Sequence, residues 1–370
     1  MRTFRSLLLL VPVVLLLSSC LVGRFLVYNF ADIKDHKKFP SRPLMPASKP
    51  FHFVRHPEPI NPKLFMYDSD TGTRLNKYLE NTGTVAFLII QKDTLMAEYY
   101  YHGYDSASVV PSFSIAKSFT SALIGFAIAE GLIGSVDDPV LKYIPEWNGR
   151  GLDKVTIRHL LQMTSGIRFN ESYWNPFGDA AKYYYGRNLR KYLVQIKPEK
   201  APGTNWNYVS GNTQMLGLIL ERVLKGKTVT DYLQEKIWTP IGMEFPASWS
   251  LDRKKGGLEK TFCCLNARAY DYAKFGRLYL RKGNWEGKQL LPEDWVVQST
   301  KPDKSVGGVS FYQNQFWIEG NKGDFYAEGI LGQFVYVCPE TETIIVRLGK
   351  KEGKVNWSRL MNVMARMKRP

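Results

Sequence analysis

Cysteine is scarce, with four residues in a chain of 370, and none has metal-ligand spacing. That excludes a structural zinc site and a disulfide-framework fold. Cys263 and Cys264 are adjacent, which disfavours an ordinary bond between them. With Cys338 they read as three buried free thiols. No internal repeat is present. Acidic residues are also in short supply: 34 face 50 basic ones, a net charge of +16. The positive residues nevertheless form no basic helix and are scattered, apart from a modest cluster at Arg366, Lys368 and Arg369. Nucleic acid is therefore not an expected partner; an anionic membrane surface accounts for the charge as well. Apolar and charged fractions, 44% and 23%, are those of an ordinary globular protein. The length allows one large or two interleaved domains with ample core.

The one long apolar run is at the start. Arg2 and Arg5 precede Leu7 to Leu17, broken only by Pro12, and Leu17-Ser18-Ser19-Cys20 follows. This is the layout of a secretory signal, and its ending resembles a bacterial lipobox, in which the cysteine is lipidated and becomes the new N-terminus. The alternative is an uncleaved anchor helix, although Leu7 to Gly23 falls short of the ~20 residues a span needs. Either arrangement places the catalytic part outside the cytoplasm, at a membrane, on the periplasmic side. Residues 21–70 read as a tether and extended wrap. Pro40, Pro43, Pro46, Pro50, Pro57, Pro59 and Pro62 break any helix, while Phe51, Phe53, Phe65 and Tyr67 suit packing on a domain.

Thr73 to Asn81 reads as a short helix. Thr84 to Gln91 and Thr94 to Tyr101 read as strands joined at Lys92-Asp93, a hairpin. Pro111-Ser112-Phe113-Ser114-Ile115-Ala116-Lys117 then leads into the apolar run Phe119 to Ala129, closed by Glu130-Gly131, a buried helix with a glycine stop. Ser114 and Lys117 are three apart, so on a helix they share a face. A serine hydroxyl is a weak nucleophile until a base takes its proton. A neutral lysine one turn away can be that base, because burial and the helix N-terminus both lower its pKa. Free N–H groups at the same terminus can stabilise an oxyanion. Alone, Ser-x-x-Lys uses two common residues and is more often a helix cap followed by a solvated lysine.

Thr156 to Gly166 reads as a capped helix in which His159 is a packed structural histidine. Phe169 to Tyr185 is loop-like and rich in aromatics, Tyr173 and Trp174 among them. It reads either as packing under a long loop or as an aromatic wall over a substrate cleft. Tyr208, in Trp206-Asn207-Tyr208-Val209-Ser210, precedes the apolar helix Met215 to Leu224. Its phenol can carry a proton if a nearby cation lowers its pKa. Ala267 to Leu280 reads as a helix, as does Asn356 to Met367. Gln315 to Glu319, Phe334 to Cys338 and Thr343 to Leu348 read as strands. Strands at both ends with helices between imply one sheet built from the two terminal portions, with a helical insert at roughly 135–265.

Three elements now stand in order: Ser114-x-x-Lys117, Tyr208-Val209-Ser210, and Gly329-Ile330-Leu331-Gly332-Gln333 leading into a strand. With His159 to Gly166, Pro202-Gly203-Thr204 and Asp271 to Leu280, the set resembles the serine β-lactamase and penicillin-binding protein superfamily over roughly residues 80–350. It is most similar to the class C-like branch that also holds carboxylesterases, D-aminopeptidases and 6-aminohexanoate-dimer hydrolases. The resemblance implies an α+β fold over residues 71–370, an antiparallel sheet flanked by helices with a mostly helical subdomain and the site between them. It implies acyl transfer without cofactor or metal on a small ester or amide. Ser114 would attack a carbonyl, Lys117 and Tyr208 would act as the base pair, and the N–H groups of Ser114 and Ile330 would hold the oxyanion. Ser210, in place of the third residue of a Tyr-x-Asn motif, would bind substrate together with Gly329, Tyr173 and Trp174. One departure stands out. The Lys-Thr-Gly triplet of true β-lactamases, which helps bind the antibiotic's carboxylate, is absent. Residues 325–329 read Phe-Tyr-Ala-Glu-Gly, so esterase or amidase action is expected over β-lactam hydrolysis. β-Lactamase or D-amino-acid peptidase activity, or a non-catalytic protein of this fold, are the alternatives. The oligomeric state is not legible.

Overall fold

The computed structural model describes residues 23–24, 28, 30–56, 66–68, 73–173, 175, 177–305, 307–320 and 322–367. Strand Thr84–Gln91 lies antiparallel to Thr343–Gly349, with Ile89 opposite Ile345 and Ala86 opposite Leu348. Side chains alternate along a strand, and this one feeds two cores. Ala86, Leu88 and Ile90 enter the larger core, and Phe87 and Ile89 the smaller one. Burial on both faces explains why the run is continuously apolar rather than alternating. At the hairpin, Lys92 and Asp93 have φ of 48° and 60°. Positive φ at both central residues is the type I′ geometry that matches strand twist.

The main sheet runs Tyr312–Gln313, Phe316–Glu319, Asp324–Gly329, Gln333–Cys338, Thr343–Gly349, Thr84–Gln91, Thr94–Tyr100, Val54–Arg55. Its neighbours are antiparallel except the last pair. Helices Ile115–Ala129 and Ala269–Leu280 cover one face, where Phe119 stacks on Phe275 at a centroid distance of 3.7 Å. Helices Leu75–Asn81 and Trp357–Arg366 cover the other. Fully burying an aromatic or aliphatic side chain of this kind contributes about 1.5–3 kcal/mol, so the interlocked faces fix the position of the helix Ile115–Ala129. Thr73–Arg74 is a short strand rather than the first turn of the following helix.

The strand Asp324–Gly329 has no clear period in the sequence. Its acidic start is accommodated because Arg366 donates to both oxygens of buried Asp324, at 2.5 and 2.7 Å. The insert holds helices Ile157–Leu161, Asp179–Tyr185, Leu189–Leu193, Ser210–Val223 and Val229–Leu233. A second sheet orders Ser41–Leu44, Ala247–Ser250, Leu265–Ala267 and Val110–Pro111. The proline-rich N-terminal segment thus supplies one of its strands, and Phe39 packs edge-on against Tyr184 at 5.2 Å. The architecture is α+β.

Candidate active site

The strand Val110–Pro111 delivers the chain to a turn that starts the buried helix. Ser112 N–H donates to Leu265 O of the second sheet at 2.7 Å. Phe113 then takes φ 45°, a left-handed conformation that is costly for a bulky residue and kept only where its surroundings over-determine it. Phe113 is buried and stacks on Tyr184. The kink sets Ser114 at the helix mouth.

Lys117, one turn on, is 1% exposed. Its Nζ donates to Ser114 Oγ at 2.9 Å and to Phe262 O at 2.8 Å. Loss of hydration pushes this lysine down to about 8, against the opposing pull of the Glu171 carboxylate. A neutral fraction is therefore present near neutral pH, and its lone pair is within hydrogen-bond reach of the serine proton.

Tyr208 completes the cluster, its ring centroid 5.0 Å from Lys117 Nζ. Its phenol faces Ser114, a contact that favours ionisation, but burial and then Glu171 dominate and push its pKa well above the ordinary tyrosine value. The expected lowering by a neighbouring cation is therefore corrected: burial and Glu171 favour the neutral phenol. Trp206, Tyr312 and Trp317 wall this tyrosine, with Trp317 stacked on it at 5.8 Å.

Ser210 opens the helix Ser210–Val223. Its N–H and hydroxyl both donate to Glu171, at 2.8 and 2.5 Å. Tyr173 donates its phenol to the same carboxylate at 2.6 Å. Ser210 and Tyr173 line the cavity of Ser114, but their polar groups are turned to Glu171. Trp174 and Cys20 lie outside the described residues. Gly329 packs against the nucleophile turn so closely that an added Cβ would sit 2.4 Å from Ser112 O and 3.0 Å from Ser114 N. Only glycine lets the strand approach this near. Ile330 follows it at the cavity beside Ser114, and Leu331 turns the chain with φ 66°. His159 stands apart, closing a capping box with Thr156, and burial lowers its pKa.

Three features escape sequence reading. Glu171 lies among aromatics with no spacing that ties it to Ser210. The Phe262 carbonyl is backbone and carries no residue signal. The third is a correction: Cys263 and Cys264 are bonded to each other rather than free, while Cys338 is free and buried. The bonded pair sits in a turn, with Cys264 at φ 70°. Cys263 lines the cavity of Ser114.

Glu171 gives a first test. Its charge raises the Lys117 pKa, so Glu171→Gln is expected to move the pH midpoint of acylation downward. An unchanged midpoint in a pH–rate series would show that the carboxylate does not act on the lysine.

A Beta-lactamase family model matches residues 74–359. A 6-aminohexanoate-dimer hydrolase of Paenarthrobacter ureafaciens is 27% identical over 296 residues, 74% of each chain. A solved structure from Bacillus anthracis, named as a 6-aminohexanoate-dimer hydrolase, is 26% identical with a TM-score of 0.79, over 92% of this chain and 94% of that one. A family VIII carboxylesterase, 17% identical with a TM-score of 0.60 over 76% of this chain and 91% of its own, shares the fold. With a match spanning both ends of the sheet and the insert between them, this chain belongs to the Beta-lactamase family and is a serine hydrolase related to 6-aminohexanoate-dimer hydrolase.

Proposed function

We propose that the protein hydrolyses a small ester or amide through an acyl-enzyme on Ser114. The observation that carries this reading is Lys117 Nζ at 2.9 Å from Ser114 Oγ, on a lysine lowered to about 8. Neutral Lys117 takes the serine proton as Oγ attacks the substrate carbonyl carbon. The oxyanion lies between the backbone N–H groups of Ser114 and Ile330, held in place before reaction begins. Collapse expels the amine or alcohol, which receives its proton through Tyr208. A water, activated by the same base, then cleaves the acyl-serine and restores the enzyme.

The cavity favours an apolar acyl or leaving group, since Phe113, Tyr184, Ala180 and Phe262 line it. Beside Gly329 stands Glu328, whose burial and the nearby Glu352 raise its pKa to about 7. Among the described residues, the lining of the cavity holds no Lys or Arg for an antibiotic carboxylate, and leaving such a group unpaired costs about 1–3 kcal/mol or more. Similarity to a 6-aminohexanoate-dimer hydrolase adds short amide oligomers to the substrates to be tried. A panel of p-nitrophenyl esters, D-amino-acid amides, short amide oligomers and a chromogenic cephalosporin tests the reading. Turnover of esters or short amides with little cephalosporin cleavage is expected; cephalosporin as the best substrate would reverse it.

We also propose that a lipidated Cys20 tethers the enzyme to a membrane outside the cytoplasm. The signal-like layout of residues 1–20 supports this, and Ala31, close behind it in sequence, lines the Ser114 cavity. Cys20→Ala should release the protein from sedimented membranes or block its maturation. Unaltered membrane retention would favour an uncleaved anchor.

A further inference from the structure

We propose that the Cys263–Cys264 disulfide is a positioning device for the general base, holding the turn whose Phe262 carbonyl orients Lys117. The inference rests on the acyl-enzyme reading above. Among the described residues, Lys117 Nζ donates hydrogen bonds to Ser114 Oγ and Phe262 O. The first is local to one helix. The second comes from a loop 145 residues away and sets the direction from which the amine meets the serine. That carbonyl belongs to the peptide joining Phe262 to Cys263, the first residue of the bonded pair.

The segment before it is fixed by side chains of both helices at the site. Thr261 N–H donates to Gln214 Oε1 at 3.1 Å, and Thr120 Oγ1 donates to Thr261 O at 3.0 Å. The segment after it must enter the strand Leu265–Ala267, which pairs with Val110–Pro111 just ahead of the nucleophile turn. Between these anchors the chain turns through Cys264 at φ 70°. Such a conformation is unfavourable for a residue with a Cβ. The bond between adjacent sulfurs closes a small ring through the intervening peptide and restricts the alternatives. Trp249 Nε1 donates to Cys263 O at 3.0 Å, and Ser250 N–H to Cys264 O at 3.0 Å, on the outer side of the turn. The pair is buried, and Cys263 lines the Ser114 cavity.

Reduction by a dithiol such as dithiothreitol is balanced. One reagent thiolate attacks a cysteine sulfur, and its second thiolate displaces the mixed disulfide. The reagent leaves as a cyclic disulfide, with two electrons and two protons passed to Cys263 and Cys264. Loosening the turn displaces the Phe262 carbonyl and lets water reach the amine. A misplacement of about 1 Å in a reacting group can cost about 100-fold in rate.

The test uses the full chain carrying Cys338→Ala, so that the bonded pair supplies the only thiols of the hydrolase domain. The burst of acyl-enzyme formation with a p-nitrophenyl ester is followed across pH, beside thermal unfolding. Oxidised protein should acylate with a midpoint near 8. Reduced protein and the Cys263→Ser/Cys264→Ser variant should acylate about 10- to 100-fold more slowly, with the midpoint moved upward and reoxidation of the former restoring it. Cys263→Ser/Cys264→Gly should recover most of the rate, because glycine accepts the positive φ without the bond. If the serine variant keeps the wild-type rate and midpoint while only its unfolding temperature falls, the disulfide is a staple and the proposal fails. If the oxidised protein shows no burst and no fluorophosphonate labelling at Ser114, the acyl-enzyme reading has failed instead.

Discussion

Ser114→Ala is expected to lower hydrolysis of every substrate the protein accepts by at least about 10^4-fold. Removing a nucleophile that works as a unit with its base leaves only the contributions of oxyanion stabilisation and binding. The fold should be unaffected. The Ser114 side chain makes no capping bond to its helix, and its hydroxyl serves as acceptor for Lys117, which retains Phe262 O. Far-UV circular dichroism and the unfolding midpoint should therefore match wild type while burst kinetics and fluorophosphonate labelling vanish. An alanine variant that retains a tenth of the activity would place the nucleophile elsewhere.

Lys117→Met separates chemistry from stability. The loss of a positioned base should slow acylation by about 10^2- to 10^4-fold. Stability should move the other way. The folded state holds this lysine near 8 rather than 10.5, so keeping it protonated below pH 8 costs about 3 kcal/mol. Between 8 and 10.5 the unfolded chain binds more protons than the folded one, so wild-type stability rises with pH across that window. The methionine variant removes the buried charge and leaves the Phe262 carbonyl unpaired, which gives back about 1 kcal/mol. A net gain of about 2 kcal/mol is expected in urea unfolding at pH 7, shrinking toward pH 10. In wild type, the acylation rate should climb through pH 8 as the base loses its proton. A flat rate from pH 6 to 9, or a variant less stable than wild type at pH 7, would refute the assignment of the base.

The disulfide and the tyrosine show where sequence reading reaches its limit. Cys263 and Cys264 look unbonded from their adjacency, yet they are bonded, with Cys264 at φ 70°. That angle belongs to a turn held by contacts from distant segments, Trp249 Nε1 to Cys263 O and Ser250 N–H to Cys264 O. Tyr208 looks like a phenol awaiting a cation. Lys117 Nζ lies 5.0 Å from its ring, but burial among Trp206, Tyr312 and Trp317, and then Glu171, push the pKa upward. Neither burial nor field is a property of the local sequence.

What the chain alone determined is what short spacing and periodicity encode. Ser114 and Lys117 share a face because they are three apart on a helix. The paired strands Thr84–Gln91 and Thr94–Tyr100 are legible in their β-branched runs and their turn. The α+β class follows from strands at both ends of the chain. Tertiary structure alone decided what crosses long separations. Glu171 collects Ser210 from 39 residues away and Phe262 reaches Lys117 from 145. Asp324, at the start of the strand Asp324–Gly329, is paired by Arg366 from 42 residues away. These contacts depend on where packing places each backbone group, and a lysine becomes a base only once the surrounding core has taken its water.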